Sequence, residues 1–349
     1  MFDHPSYDHH EGVHFFEDEA SGLRAIIAIH STALGPAAGG CRMWDYANGE
    51  LALRDALRLS QGMSFKNAMA GLPLGGGKAV IWGNSKTDKS DKLFEVFGRA
   101  VESLQGQYYT AEDVGIDTAD MGIVATQTRY VAGLDKGEAA SGDPSPITAL
   151  GVYRGIKECA QRVFGTADLS GRMIAVQGVG SVGGYLCDHL AGEGAKLLVA
   201  DIDEAELERV CERTGAKRVS PAKIYDTEAD IFSPNALGAI INADTVPRIG
   251  ARIIAGGANN QLATAEMGQV MKDKGILYAP DYVINGGGII NVAAEISGEY
   301  SREWVMSKLD SLVGTLGQVL DEALSSDEPT HLVAERIARS RIAAAQSHQ

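Results

Sequence analysis

The distribution of apolar and polar positions predicts a first block of mixed strands and helices over about residues 20–115. LRAIIAIHST (23–32), KAVIWG (78–83) and QYYTAEDVG (107–115) are short, apolar and rich in β-branched or aromatic residues, which is typical of strands. Apolar residues recur every three or four positions over 90–105, and a second helix is predicted over about 50–70. The first block is therefore expected to be an α/β domain.

A second block has the pattern of a doubly wound parallel sheet. Pro146 is placed to begin a helix, and from residue 172 onward short apolar runs alternate with helical segments. The predicted strands are RMIAVQGVG, KLLVAD, DIFSP, RIIAGGA and ILYAP. The helices predicted after the first two of these strands cover 181–192 and 203–213. The tail, about 301–346, is predicted to form two helices.

The segment of residues 133–146, GLDKGEAASGDPSP, is rich in Gly, Ser, Pro and charge and is the candidate domain boundary. We expect an α/β domain over 1–135 and a Rossmann-type, doubly wound α/β domain over 136–325. A C-terminal helix over 326–349 is expected to pack back on the first domain.

Composition and charge exclude several classes of protein. The 349 residues carry a net charge of −15, which opposes binding to nucleic acid. No apolar stretch is long enough to span a membrane, and the N-terminus lacks the features of an export signal. The scattered cysteines indicate a reduced, cytoplasmic protein, and the N-terminal histidines lack the spacing of metal ligands. We expect no metal site and a loosely ordered N-terminal segment.

A glycine fingerprint predicts a dinucleotide site. Gly178, Gly180 and Gly183 form G-x-G-x-x-G with Ser181 and Val182 between them, directly after an apolar strand and at the start of a helix. Asp201 ends the next strand, 23 residues after Gly178, where a carboxylate accepts hydrogen bonds from the ribose hydroxyls and repels a 2′-phosphate. NAD is therefore the expected cofactor, in preference to NADP.

Two lysines and an aspartate are the candidate catalytic residues. Lys66 lies in GMSFKNAMAG, and Lys78 follows three consecutive glycines at the mouth of a strand. We interpret these glycines as allowing a substrate to approach the backbone while Lys78 is enclosed. Asp113 lies at the end of another strand, in TAEDVG, although it could also be only a helix N-cap.

These motifs together resemble the glutamate/leucine/phenylalanine/valine dehydrogenase family, and within it the leucine and phenylalanine dehydrogenase branch. The resemblance covers nearly the whole chain. It rests on LGPAAGGCRMW (34–44), GMSFKNAMAGLPLGGGKAVI (62–81), YTAEDVG (109–115), the glycine fingerprint, AGGANNQL (255–262) and YAPDYVINGGGIINVAAE (278–295). It implies NAD-dependent oxidative deamination of an L-amino acid to its 2-oxo acid and ammonia, and the reverse reductive amination. It also implies that the domain over 1–135 binds substrate and forms the oligomer, and that the domain over 136–325 binds NAD.

The resemblance also implies roles for individual residues. Lys66 would hold the substrate carboxylate together with the main chain at Gly39 and Gly40. Lys78 would activate the water that attacks the imino carbon, and Asp113 would exchange protons with the amino group.

Further residues are implied to hold the cofactor. Thr148 and Asn259 would position the nicotinamide, and Ala236 lies in a segment that lines the NAD site. Relatives often have a cysteine in that segment where this chain has Asn235, so we expect altered hydrogen bonding with retained binding.

The resemblance implies an apolar substrate pocket formed by Ala38, Ala111, Ile289 and Val292. Glutamate-specific relatives place a lysine where this chain has Ala38, and a buried γ-carboxylate without a partner is costly. Branched aliphatic substrates (leucine, valine and isoleucine) are favoured. Phenylalanine or a wider aromatic substrate stays open, because one methylene changes discrimination by only about 1–3 kcal/mol.

Two other functions would need different residues. A hydroxy-acid dehydrogenase would need a histidine base beside a glycine-rich strand end, and none is found there. A non-catalytic NAD-binding protein would not need Lys66, Lys78 and Asp113 together. The family is generally oligomeric, so at least a homodimer is expected, with strand 23–32 able to pair across a two-fold axis.

Overall fold

The computed structural model describes residues 2–134, 143–298 and 301–347. The chain divides into two compact units. The first comprises Met1–Asp143, Ile289–Val305 and Ala338–Gln349, and the second comprises Pro144–Gly288 and Met306–Ile337. The expected boundary at residues 135 and 136 lies outside the described residues, and the domain limits stay a prediction.

The first unit is built on one mixed sheet. Its strands are β1 (Gly12–Asp18), β2 (Leu23–Ser31), β3 (Ala37–Ala38), β4 (Cys41–Trp44), β5 (Gly75–Trp82) and β6 (Tyr108–Tyr109). Their order is β1-β2-β5-β3-β6, with β4 also paired to β5. β1, β2 and β5 are antiparallel neighbours, whereas β3 and β4 run parallel to β5. The helices of this part of the chain are α1 (Gly49–Met69), α2 (Asp91–Glu102) and α3 (Thr118–Val124).

Strand β2 is buried on both faces, which explains its continuous apolar sequence. Ala25, Ile27 and Ile29 belong to a core that includes apolar residues of α2 and α3. Ile26 and Ala28 belong to a second cluster with apolar residues of α1. The strand therefore alternates between two cores, as the two-residue period of a strand requires.

Three expectations for this unit are wrong. The strand predicted over 107–115 ends at Tyr109, because its pairing partner then changes: Thr110 bridges Val131 and Glu112 bridges Cys41. β2 cannot pair across a two-fold axis, because β1 and β5 occupy both of its edges.

The N-terminal segment also differs from the expectation of a loosely ordered one. The His10 side chain is buried, and its Nε2 lies 3.0 Å from the Leu57 carbonyl oxygen and 3.1 Å from the Ser60 hydroxyl. These contacts fix the segment to α1, the helix that carries Lys66.

The second unit contains the predicted parallel sheet. Its strands are β7 (Met173–Gln177), β8 (Lys196–Ala200), β9 (Lys217–Arg218), β10 (Ile231–Pro234), β11 (Ile253–Ile254) and β12 (Leu277–Tyr278). They follow the order β12-β11-β10-β7-β8-β9, and every neighbouring pair is parallel. The sheet order reverses between β7 and β10, which places a topological switch point at the carboxyl end of β7.

The remaining helices confirm the predicted alternation and the two-helix tail. They are α4 (Ser145–Phe164), α5 (Ser181–Gly192), α6 (Glu204–Thr214), α7 (Glu266–Asp273), α8 (Asp281–Ile284), α9 (Gly287–Ile296), α10 (Arg302–Ser326) and α11 (Thr330–Gln346), with short 3₁₀ turns at Ile224–Asp226 and Val246–Arg248. Across the described ranges, no helix has the length and apolar character needed to cross a membrane.

Candidate active site

A cluster of three charged side chains lies in the first unit. The Lys78 ammonium donates a hydrogen bond to Asp113 Oδ2, and the Arg42 Nε lies 3.3 Å from the same oxygen. The Lys78 side chain is 7% exposed and that of Asp113 is 22% exposed, so the pair is largely removed from water. The structure thus brings together two of the three predicted catalytic residues.

The sheet positions this cluster through backbone hydrogen bonds. Lys78 lies on β5, and Cys41 on the parallel strand β4 pairs opposite Ala79. The Cys41 amide donates to the Ala111 carbonyl at 2.8 Å, and the Met43 amide donates to the Val114 carbonyl at 2.9 Å. These two bonds hold the segment that carries Asp113 against β4.

Gly40 allows this close approach. A Cβ atom at Gly40 would lie 2.5 Å from the Glu112 carbonyl oxygen and 2.9 Å from the Asp113 Cβ. Any larger residue would displace the backbone of Asp113. Gly40 therefore shapes the catalytic cluster, besides the substrate-binding role that the family resemblance implies.

The two cations decide the charge of Asp113. Burial alone would raise the pKa of this carboxyl, but Lys78 and Arg42 lower it to about 2. Asp113 is therefore a carboxylate at neutral pH, held beside two basic side chains.

Arg42 was not predicted from the sequence. Its guanidinium lies 3.0 Å from Asp55 Oδ2, which also accepts a hydrogen bond from the Tyr46 hydroxyl at 2.6 Å. Burial opposes the charge of Arg42, but Asp113 and Asp55 raise its pKa. The available signal was its position in β4, where an arginine within a mostly buried strand needs an acidic partner.

Lys66 lies on α1, the helix that packs against β5. A Cβ at Gly76 would lie 2.1 Å from the Ser64 amide nitrogen, and one at Gly77 would lie 2.6 Å from the Tyr108 ring. A Cβ at Gly75 would lie 2.0 Å from the Ser31 carbonyl oxygen. The three glycines before Lys78 thus let protein atoms pack closely, and the interpretation that they also admit substrate stays a prediction.

The predicted pocket residues all belong to the first unit. Ala38 and Gly39 are buried beside β5, and Ala111 precedes the Asp113 segment. Ile289 and Val292 lie three residues apart on α9, so they share one face of that helix. Ala38 is apolar and 1% exposed, so it offers no cation for a side-chain carboxylate.

Each fingerprint glycine in the second unit has its own structural reason. Gly178 has a φ of +86°, and a Cβ there would lie 2.6 Å from the Cβ of Ala236. A Cβ at Gly183 would lie 2.0 Å from the Gly178 carbonyl oxygen. Gly180 begins α5 without a side-chain cap, and the space around its Cβ position is open. The amide groups of Ser181 and Val182 therefore lie in the first turn of a helix, the kind of position at which proteins commonly bind anions.

Asp201 follows β8 and already supports the glycine turn. Its Oδ2 accepts a hydrogen bond from the Val179 amide at 2.7 Å, and its Oδ1 accepts one from the Asp203 amide at 2.9 Å. Ile202, next to it, is 90% exposed, and no basic residue stands there. The carboxylate stands at the expected place for ribose hydroxyls.

Three other predicted cofactor residues have clear positions. The Thr148 hydroxyl donates to the Pro144 carbonyl at 3.0 Å in the first turn of α4. Asn259 is exposed, and its Oδ1 accepts a hydrogen bond from the Asn285 amide at 2.8 Å. Ala236 is exposed beside Gly178.

The side chain of Asn235, where relatives often have a cysteine, links the end of β10 to the segment that follows β11. It donates to the Ser233 carbonyl at 2.9 Å and accepts from the Gly257 amide at 2.8 Å. The effect of Asn235 on cofactor binding stays a prediction. Among the described residues, no group of three or more His, Cys, Asp or Glu side chains is arranged to hold a metal ion.

Comparison with known proteins places this arrangement in a family. The dimerisation domain of the Glu/Leu/Phe/Val dehydrogenases matches residues 10–130, and the Glutamate/Leucine/Phenylalanine/Valine dehydrogenase domain matches residues 199–349. The chain belongs to this family. The family resemblance, the two-domain α/β fold and the prediction of an amino-acid dehydrogenase are confirmed, and the chain is an oxidoreductase of a family that depends on NAD or NADP.

Relatives in the family match nearly the whole chain. A leucine dehydrogenase of Thermoactinomyces intermedius is 50% identical over 98% of this chain and 93% of its own length. An L-tryptophan dehydrogenase of Nostoc punctiforme is 45% identical over 95% of this chain and 93% of its own length. The crystal structure of the L-tryptophan dehydrogenase from Nostoc punctiforme superposes with a TM-score of 0.84 at 43% identity, covering 97% of each chain.

Proposed function

We propose that this dehydrogenase catalyses NAD-dependent oxidative deamination of apolar L-amino acids, with leucine, valine and isoleucine as preferred substrates. The products are the 2-oxo acid and ammonia, and the reverse reaction is reductive amination. The observation that carries the proposal is the buried Lys78–Asp113 pair, joined by Arg42, in a chain 50% identical to a leucine dehydrogenase. Bound NAD would accept the hydride from the substrate α-carbon.

The proposed steps assign one role to each charged group. Lys66 holds the substrate carboxylate, with the amides of Gly39 and Gly40. Asp113 takes a proton from the substrate ammonium group, so that the nitrogen lone pair can form the imine as the hydride leaves. Lys78 takes a proton from the water that attacks the imino carbon, and Asp113 returns its proton to the nitrogen. As ammonia leaves, the carbinolamine hydroxyl gives its proton to the vacated Asp113 carboxylate and becomes the 2-oxo group, and the protons on Lys78 and Asp113 then pass to solvent.

The cofactor preference rests on Asp201. A 2′-phosphate would bring about two negative charges to a carboxylate that is already held by two backbone amides, so NADP binding would be opposed. Thr148, Asn259 and Ala236 are proposed to line the remainder of the dinucleotide site. Gly180 would leave room for the pyrophosphate at the start of α5, and Gly178 and Gly183 allow the tight turn that places it there.

The substrate preference rests on the small apolar residues and on the relatives. Ala38 provides no cation for the γ-carboxylate of glutamate, whose burial without a partner costs several kcal/mol, at least about 2. Ala111, Ile289 and Val292 complete the proposed apolar pocket. The 45% identity to an L-tryptophan dehydrogenase supports an aromatic substrate as the second candidate.

The test is NADH formation at alkaline pH from NAD and each of leucine, valine, isoleucine, phenylalanine, tryptophan and glutamate. The branched aliphatic substrates are expected to have the highest kcat/KM, and glutamate is expected to be the poorest. Higher kcat/KM for phenylalanine or tryptophan would favour the aromatic alternative. NAD binding without turnover of any of the six would instead identify a non-catalytic NAD-binding protein.

The assembly and its location belong to the same proposal. The match of residues 10–130 to a dimerisation domain supports a homo-oligomer of at least two copies. A cytoplasmic location is proposed from the buried, unpaired state of Cys41, Cys159 and Cys187.

A further inference from the structure

Glu295 joins two parts of the first unit through its carboxylate. Its Oε2 accepts a hydrogen bond from the Gly133 amide at 2.9 Å, and its Oε1 accepts one from the Leu134 amide at 3.2 Å. One carboxylate thus binds two successive backbone N–H groups. Hydrogen bonds to a charged acceptor are stronger than those between neutral groups, so this contact fixes the segment that it holds.

On one side of this contact lies the segment that borders Ala111. The Ala132 amide donates to the Thr110 carbonyl at 2.8 Å, and Thr110 bridges Val131 in a parallel arrangement. This pairing places Gly133 beside Ala111, since a Cβ at Gly133 would lie 3.8 Å from the Ala111 Cβ. Movement of Gly133 would therefore change the space beside Ala111.

On the other side lies the helix that carries the remaining pocket residues. Val292 lies three residues from Ile289 and three residues from Glu295 on α9, so each of these two residues is its neighbour on the helix surface. The residue that binds the Gly133 and Leu134 amides thus lies one turn from Val292. Any change in the distance between α9 and residues 133–134 is transmitted to the pocket wall.

We propose that Glu295 is a positioning residue that sets substrate size selectivity. It holds the backbone beside Ala111 at a fixed distance from the face of α9 that carries Ile289 and Val292. Gly133 has a φ of +77°, a conformation that glycine adopts at little cost because it has no Cβ. Glycine also adopts other conformations readily, so the segment needs contacts such as those with Glu295 to hold its position. This inference rests on the proposed function, because it assigns Ala111, Ile289 and Val292 to the substrate pocket.

The test compares wild type with Glu295→Gln and Glu295→Ala in the ratio of kcat/KM for leucine to that for phenylalanine. Each ratio is measured on one preparation, so the fraction of folded enzyme cancels. In Glu295→Ala the ratio is expected to fall about tenfold, the lower limit for discrimination by one methylene in an apolar pocket. Glu295→Gln keeps one oxygen acceptor and is expected to give an intermediate ratio.

Glu303→Gln is the matched control. Glu303 is an exposed carboxylate in the same unit, and its substitution removes the same charge. Its leucine-to-phenylalanine ratio is expected to match wild type. A change as large as that of Glu295→Gln would assign the effect to net charge and would overturn the proposal.

Hydrogen–deuterium exchange supplies a second readout that does not depend on activity. A peptide covering residues 130–134 is expected to exchange at least about tenfold faster in Glu295→Ala, because two amides lose their acceptor. Faster exchange with an unchanged substrate ratio would show a structural role only and overturn the proposal, as would unchanged exchange. Failure of the proposed function is a distinct result: the wild type itself would turn over neither amino acid.

Discussion

Asp113 lies beside two cations, Lys78 and Arg42, and only Lys78 was predicted from the sequence. Lys78 and Asp113 were predicted because each stands at the end or mouth of a glycine-lined strand. Arg42 and Glu295 were not predicted, because their partners are distant in sequence: Arg42 meets Asp113, and Glu295 meets Gly133 and Leu134. Only the folded chain brings such pairs together.

Substitution of Lys78 tests the catalytic cluster at the scale of one residue. Lys78→Ala is expected to lower kcat at least about a thousandfold. The substitution removes the proposed base, which is also one of the two basic side chains beside Asp113. NAD affinity, measured by calorimetry or fluorescence, is expected to stay within about twofold, because the predicted cofactor residues lie in the other unit.

Lys92→Ala is a suitable control for this experiment. Lys92 is an exposed lysine of the same unit, with its ammonium on the Ala20 carbonyl at 3.1 Å. Wild-type turnover in Lys92→Ala and loss in Lys78→Ala would agree with the assignment. Substantial turnover in Lys78→Ala would remove Lys78 from its proposed role.

At the scale of elements, prediction succeeded where one pattern extended over many residues. The helix expected over 50–70 is α1, and the alternation from residue 172 onward is the parallel sheet of the second unit. β3 and β6 contain two residues each, too few for any periodicity. β1 was missed because its pattern, GVHFFED, mixes charged and apolar residues, with Phe15 62% exposed.

The buried contact between the N-terminal segment and α1 predicts a pH dependence of stability. Burial lowers the pKa of His10 to about 4, against an ordinary value of 6.5. Between pH 6.5 and about 4, His10 is mostly protonated in the unfolded chain and mostly neutral in the folded protein. The free energy of unfolding therefore falls as the pH falls towards 4. The loss from His10 is expected to reach about 2–3 kcal/mol at the acidic end.

Unfolding in urea at pH 7 and near pH 4.5 measures this effect. His10→Gln can keep a hydrogen bond to the Leu57 carbonyl or to Ser60 without titrating, so its loss of stability over this range is expected to be smaller than that of wild type. His30, whose pKa burial also lowers, is present in both proteins and cancels in the comparison. An equal loss in the two proteins would show that His10 does not titrate as described.

At the scale of the whole molecule, the predicted residues divide between the two units. Those for substrate and catalysis lie in the first, and those for the dinucleotide lie in the second. Selectivity for cofactor and for substrate should therefore change independently, because the residues predicted to set each one belong to different units.

Asp201→Ser tests this independence. Loss of the carboxylate removes the repulsion of a 2′-phosphate, so the ratio of kcat/KM for NADP to that for NAD is expected to rise at least about tenfold. The ratio for leucine to phenylalanine is expected to stay within about twofold of wild type. A coupled change in both ratios would contradict the division of roles, and an unchanged cofactor ratio would contradict the role of Asp201.

In the proposed reaction the hydride leaves the α-carbon of an apolar L-amino acid. Leucine carrying deuterium at the α-carbon, mixed with NAD and the wild-type protein, tests it most directly. The expected result is recovery of the label in the reduced nicotinamide, with the 2-oxo acid and ammonia formed in amounts equal to it. No reduction of NAD by labelled or unlabelled leucine, valine or phenylalanine would contradict the account.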